Sequence, residues 1–122
     1  MHKKESFLIN RLKSITYAFK GAFILVSTEA SIKVQFFIGI LMTVAGFCFN
    51  ISPTEWLLQI AAIGLIMALE GVNTAIEEIA DFVHPNYHVK IGLIKDISAG
   101  AVFIFAITAI IMGCIIYIPK VF

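Results

Sequence analysis

The sequence predicts an all-α membrane protein with three transmembrane helices and a preceding amphipathic helix on the membrane surface. Of the 122 residues, 60% are hydrophobic and 14% are charged. A soluble domain of this size cannot bury so much apolar surface. Three apolar segments are also long enough to cross a hydrocarbon core of about 30 Å as helices. We therefore expect a single membrane-embedded domain over residues 1–122.

The predicted surface helix covers residues 6–28. Apolar side chains recur there at spacings compatible with one helical face, and basic side chains interrupt them, as is typical of a helix lying on a membrane. A basic tail that sets topology is the alternative. The apolar positions are Phe7, Leu8, Leu12, Ile15, Phe19, Phe23 and Ile24, and the basic ones are Arg11, Lys13 and Lys20.

The predicted spans cover residues 31–51, 56–80 and 97–118. The first connection contains Ser52-Pro53, which indicates the start of a helix. The second connection is predicted as a loop over residues 84–95, because Pro85-Asn86 is typical of a turn. No internal repeat is visible in the sequence.

The distribution of Lys and Arg predicts the orientation, because cytoplasmic segments carry an excess of these residues. The connection over residues 50–55 has neither, so we expect it to face outward and the N-terminus and second connection to face the cytoplasm. The net charge of +1 gives no electrostatic case for nucleic acid. The basic residues counted are Lys3, Lys4, Arg11, Lys13, Lys20 and Lys33 before the first span, and Lys90 and Lys95 in the second connection.

The second predicted span carries a column of polar side chains. At about 100° per residue, they fall within a sector of roughly 80° on one helix face. Glu70 lies about 21 Å along the helix from Trp56, within the inner half of the bilayer. A carboxylate inside a membrane is costly and indicates a functional site by default. The column consists of Glu70, Asn73, Glu77 and Asp81.

Other charged residues reach the same predicted boundary: Glu29 before the first span, and Lys95-Asp96 before the third. Carboxylates together with substrate phosphates suit Mg²⁺, and a lysine suits phosphate oxygens. Glu70, at lipid depth, could accept a proton from a lipid alcohol. The combination favours phosphate transfer from Mg·ATP to a lipid hydroxyl, without the loop motifs of soluble kinases.

Two other kinds of protein remain open at this point. A small transporter could couple protons through Glu70, although it would not use the acids and the lysine at the boundary. A structural membrane subunit could use the polar groups as hydrogen bonds between packed helices.

Residues 68–102, "ALEGVNTAIEEIADFVHPNYHVKIGLIKDISAGAV", resemble the signature of the prokaryotic integral-membrane diacylglycerol kinase and undecaprenol kinase family. The three-span layout extends the resemblance over nearly the whole chain. Ile94 departs from the usual alanine before Lys-Asp, and Arg11 is shifted by one residue from the family's arginine. The matching residues are Glu70, Asn73, Thr74, Ala75, Ile76, Glu77, Asp81, Tyr87, His88, Lys95, Asp96 and residues 99–102.

The resemblance implies a homotrimer in the bacterial inner (cytoplasmic) membrane, with sites shared between protomers. It implies Glu70 as the general base, Glu29 and Glu77 as ligands of Mg²⁺ and ATP, and Asn73 near the transferring phosphate. The remaining residues implied to bind ATP are Tyr17, Asn86, Tyr87, His88, Lys95 and Asp96, and those implied to bind the lipid are Glu70 and Ala99.

The lipid is expected to be undecaprenol, and the alternative is diacylglycerol. The segments "HPNYH", "KDISAGAV" and "GCIIYIPK" look more like the undecaprenol kinases of Gram-positive bacteria than the diacylglycerol kinases of enteric bacteria. Nothing in the spacing of polar residues distinguishes the two lipids, because each presents one primary alcohol.

Overall fold

The structure, a computed structural model, describes residues 6–122. These residues form four α-helices: α1 (Phe7–Thr28), α2 (Ala30–Cys48), α3 (Pro53–Val83) and α4 (Val89–Val121). Helices α2, α3 and α4 are each long and apolar enough to cross a membrane. The chain is therefore a multi-pass membrane protein, and the predicted all-α fold with a preceding helix is confirmed. Lys3 and Lys4, which entered the orientation argument, lie outside the described residues.

A single residue separates α1 from α2. Glu29 has an extended backbone (φ −90°, ψ 119°), which interrupts the helix. The last turn of α1 packs on α3, because a Cβ added to Gly71 would lie 2.9 Å from Cδ1 of Leu25. The end of α1 therefore lies beside the part of α3 that carries Glu70.

The turn between α2 and α3 is tight and capped at the start of α3. Asn50 has a φ of 50°, in the left-handed region that Asn tolerates better than most residues. The Glu55 backbone N–H donates to Oγ of Ser52 over 3.2 Å, and the Ser52 N–H donates to the Glu55 carboxylate over 2.9 Å. This reciprocal capping box and Pro53 in the first turn explain why the helix begins there.

The connection between α3 and α4 is shorter than the sequence predicts. α3 continues to Val83 and α4 begins at Val89, so the prediction of a loop is wrong for residues 89–95. The His88 side chain caps α4 by accepting a hydrogen bond from the Lys90 N–H over 3.0 Å. The earlier start follows from helix geometry: backbone hydrogen bonds continue through the polar positions, and residues 89–95 contain no proline. Lys95 consequently lies two turns inside α4.

Helix α3 packs against both α2 and α4. At the end opposite Lys95, the Gln59 amide donates to the Met42 carbonyl over 2.9 Å, and the Tyr117 hydroxyl donates to Oε1 of Gln59 over 2.5 Å. These bonds join the three spans where lipid offers no partners for polar groups. The buried apolar side chains are Ile32, Ile51, Ala62, Ile66, Ala80, Val102 and Ile116.

Candidate active site

The predicted polar column lies on α3 as an ordered set of contacts. Glu70, Asn73 and Glu77 are half-buried, whereas Asp81 is exposed. The Asn73 amide donates to Oε1 of Glu77 over 3.2 Å, a contact that the i, i+4 spacing of a helix allows. Glu77 is also close enough to Glu70 for the two carboxylates to repel each other. The column therefore concentrates negative charge near the end of α3.

Helix α4 contributes a hydroxyl that the sequence reasoning missed. Ser98 is 8% exposed, and its Oγ donates to Oδ1 of Asn73 over 2.6 Å. A chain of hydrogen bonds therefore runs from α4 through Asn73 to Glu77. The spacing in the sequence could have identified Ser98, because it follows Lys95 by three residues and so shares a face of α4 with it.

Lys95 provides the positive charge at this end of the bundle. Its ammonium forms an ion pair with Asp81 over 2.5 Å, with side chains 37% and 57% exposed, respectively. Lys95 also interacts electrostatically with Glu77. Asp96, the next residue, and Ala99 are exposed on α4. Because both members of the ion pair are more than one-third exposed, Lys95 can exchange Asp81 for another anion at little energetic cost.

Glu29 and Tyr17 lie on the N-terminal side of the bundle. Glu29 is half-buried at the junction of α1 and α2, and its side chain makes no capping hydrogen bond to α2. Tyr17 is 68% exposed in the middle of α1. Among residues 6–122, the structure joins neither of them to the α3 column by a hydrogen bond or an ion pair. Within the described part of the chain, no direct polar contact therefore holds Glu29 or Tyr17 to the column.

The short connection before α4 is ordered by local contacts. Nδ1 of His84 lies 2.7 Å from the Asn86 carbonyl oxygen. The rings of His84 and His88 meet edge to face with 5.3 Å between their centroids. Tyr87 is 86% exposed, and its ring lies over Gly92, where an added Cβ would be 3.5 Å away. The connection therefore presents an aromatic ring to solvent close to the start of α4.

The carboxylates fit a cation that arrives with a nucleotide better than a cation bound by the protein alone. Within the described part of the chain, no three His, Cys, Asp or Glu side chains are grouped so that they could hold a metal ion. Mg²⁺ typically takes one or two protein carboxylates and completes its shell with substrate phosphates and water. Asn73 engages Oε1 of Glu77, which leaves Oε2 for such an ion.

Comparisons with known proteins identify the family of the chain. The family model described as "Prokaryotic diacylglycerol kinase" matches residues 16–117. The undecaprenol kinase of Bacillus subtilis is 32% identical over 120 residues, covering 98% of this chain and 95% of that protein. The diacylglycerol kinase of Escherichia coli K12 is 31% identical over 106 residues, 86% of each chain. That of Haemophilus influenzae is 30% identical over 111 residues, covering 90% of this chain and 92% of that protein.

The fold, the polar column and these similarities define an integral-membrane lipid kinase. The chain belongs to the prokaryotic diacylglycerol kinase family, as the family match covers far more than half of its length. A kinase of this family uses ATP as its phosphoryl donor. The predicted family membership and the predicted enzyme class are thereby confirmed.

Proposed function

We propose that this chain transfers the γ-phosphate of ATP to the primary hydroxyl of undecaprenol. The observation that carries the proposal is the half-buried Glu70 within an apolar span, on the helix that also carries Asn73 and Glu77. Similarity to the undecaprenol kinase of Bacillus subtilis over 98% of the chain supports this lipid. Diacylglycerol is the second candidate, supported by the family description and by the Escherichia coli relative.

In the proposed reaction, Glu70 acts as the general base. Its carboxylate accepts the proton of the lipid hydroxyl while the hydroxyl oxygen forms a bond to the γ-phosphorus of ATP. The bond between that phosphorus and the bridging oxygen breaks, and ADP leaves with the bonding electron pair. The half-buried position of Glu70 within a span suits this role, because a lipid alcohol reaches it from the membrane. Ala99, exposed on α4, would contact the lipid.

The nucleotide would bind at the boundary end of the same column. Glu29 and Glu77 would hold Mg²⁺, which when bound neutralises charge on the phosphates. Lys95 would exchange its partner Asp81 for a phosphate oxygen, as a point charge suits that contact. Asn73 would orient groups near the transferring phosphate. The residues proposed to surround the rest of ATP are Tyr17, Asn86, Tyr87, His88 and Asp96.

The proposed assembly is a homotrimer with sites shared between protomers. Between 11% and 17% of the most apolar window of each span is buried within one chain, so much helix surface is available to other protomers and to lipid. In such an assembly, Glu29 of one protomer would act together with Glu77 of another. The domain would occupy residues 1–122, with residues 6–28 on the membrane surface and spans over residues 31–51, 56–80 and 97–118.

The proposed location is the bacterial inner membrane, with the N-terminus and the active site facing the cytoplasm. The excess of Lys and Arg before α2 and around the start of α4 supports this orientation. The cytoplasm also supplies the ATP that the site would use. A reporter fused within residues 50–55 should be accessible from outside the cell, and a cytoplasmic reporter would overturn the orientation.

The lipid is tested by phosphate transfer from γ-labelled ATP in mixed micelles that carry undecaprenol or diacylglycerol at equal mole fraction. Faster labelling of undecaprenol is the expected result. Faster labelling of diacylglycerol would keep the kinase assignment and overturn the lipid. No transfer to either lipid by intact protein, with proton release on ligand binding instead, would favour a transporter. Chelation of Mg²⁺ serves as the control for metal dependence.

A further inference from the structure

We propose that Ser98 is a positioning residue that orients Asn73 and, through it, the carboxylate of Glu77. The inference deepens the proposed function and rests on it, because it concerns the residue proposed to hold Mg²⁺. It is carried by two contacts: Ser98 Oγ to Asn73 Oδ1 at 2.6 Å, and Asn73 Nδ2 to Glu77 Oε1 at 3.2 Å.

The direction of this hydrogen-bonded chain follows from the chemistry of its members. An ionised carboxylate accepts hydrogen bonds but donates none, so Glu77 must face the NH₂ end of the Asn73 amide. The carbonyl end of the amide then faces Ser98, and the hydroxyl must donate to it. A hydroxyl can donate or accept, so Ser98 satisfies the amide in the one orientation that also serves Glu77.

Burial gives the contact its importance. Ser98 is 8% exposed and Asn73 is half-buried, so water does not readily replace the hydroxyl. Without it, the carbonyl oxygen of Asn73 would lose its partner from α4, and the amide could rotate away from Glu77. Leaving a buried acceptor unpaired carries a substantial penalty.

Loss of the Ser98 hydroxyl should weaken the binding of Mg²⁺ more than it slows phosphate transfer. Groups that hydrogen-bond to a metal ligand typically change metal affinity by about 10-fold to 100-fold when removed. Ser98 acts on Glu77 through an intervening amide, so the lower end of that range applies. Among residues 6–122, the Glu70 carboxylate is not part of this hydrogen-bonded chain. Because Asn73 is proposed to lie near the transferring phosphate, turnover at saturating Mg²⁺ should also fall, but by a smaller factor than the affinity for Mg²⁺.

The test compares Ser98→Ala and Ser98→Thr with Thr108→Ala, a control on α4 whose hydroxyl bonds to the Ile104 carbonyl of its own helix over 3.0 Å. Ser98→Ala should raise the Mg²⁺ concentration for half-maximal rate about 10-fold. The rate at saturating Mg²⁺ should fall by a smaller factor than this shift. Ser98→Thr, which keeps a hydroxyl, should restore the wild-type requirement, and Thr108→Ala should not change it.

Two further readouts do not depend on turnover. Binding of Mn²⁺ with a non-hydrolysable ATP analogue, followed by electron paramagnetic resonance without lipid, should weaken by the same factor in Ser98→Ala. The Asn73 side-chain amide signals of the nucleotide-free protein should shift in Ser98→Ala and return in Ser98→Thr.

Unchanged Mn²⁺ binding and an unchanged Mg²⁺ requirement in Ser98→Ala would overturn the inference. So would Asn73 amide signals that do not respond to the substitution. Failure of the proposed function is a separate outcome, because it would appear in the wild type as an absence of lipid phosphorylation. The Asn73 signals would still report the Ser98 contact in that case.

Discussion

Gly46, near the end of α2, should not tolerate a methyl group. An added Cβ would lie 2.6 Å from Cη2 and 2.8 Å from Cζ2 of Trp56, and 3.1 Å from Cδ1 of Ile51. The indole ring is rigid and already packs against Phe47 with 4.9 Å between ring centroids. Gly46→Ala must therefore displace the ring or separate the ends of α2 and α3.

The loss of stability caused by the clash can be measured separately by comparison with Gly64→Ala in α3, where an added Cβ meets no atom within 4 Å. Both substitutions carry the same gain in helix propensity, up to about 1 kcal/mol, so it cancels between the variants. Overpacking a filled site typically costs about 1–3 kcal/mol. The free energy of unfolding should therefore be lower in Gly46→Ala by about this amount, which is roughly 5-fold to 150-fold in the equilibrium constant.

The assay is reversible unfolding of both purified variants in mixed micelles, with the wild type as the reference. We expect Gly46→Ala to unfold first and Gly64→Ala to unfold with or after the wild type. Equal stability of the two alanine variants would refute the reasoning, because it would mean that the Trp56 ring does not occupy the space beside residue 46.

Three more predictions concern polar contacts. Asp81→Asn should leave the free energy of unfolding nearly unchanged, because both side chains of the pair with Lys95 are more than one-third exposed; a clear loss of stability in the unfolding assay would contradict this. Lys95→Met should raise the KM for ATP about tenfold by removing a charged contact to phosphate, whereas Lys120→Met at the opposite end should leave that KM unchanged. Gln59→Leu removes two hydrogen bonds, one from Tyr117, and should destabilise the protein by about 1 kcal/mol, at about 0.6 kcal/mol per bond within a membrane. Its turnover should not change, and a loss of turnover would show that this end of the bundle serves catalysis.

The polar column could be predicted because it is local. Helix geometry alone places Asn73 and Glu77 four residues apart on one face, and the structure shows them hydrogen-bonded there. The partner from α4 could not be predicted in this way. Which face of α4 meets α3 depends on packing between helices, so the contact of Ser98 with Asn73 required the structure.

The start of α4 shows a different limit of sequence reasoning. Membrane thickness sets how long an apolar segment must be, but a helix can continue through polar residues beyond the lipid. His88, which is not among the residues preferred at helix starts, caps α4 with its side chain. Neither fact is visible in the hydropathy pattern, and the predicted loop was consequently too long.

The family could be predicted from residues 68–102, and the family match over residues 16–117 confirms it. The roles of the individual site residues stay predictions. The choice of lipid rests on similarity alone, because the polar column addresses the hydroxyl and the phosphates that both candidate reactions share. The two lipids differ in their apolar chains and in the two ester groups of diacylglycerol, and none of the residues in the column is assigned to either feature.

The role of Glu70 is tested most directly by substitution with the isosteric Gln. Glu70→Gln keeps the shape of the side chain and removes the acceptor for the lipid proton. In the purified, correctly assembled variant, transfer of labelled phosphate from ATP to the lipid should fall by about 10²-fold to 10⁴-fold, the usual contribution of a general base. Stability should match that of the wild type. Ordinary phosphate transfer by the assembled Glu70→Gln protein would contradict the assignment of Glu70 as the catalytic base.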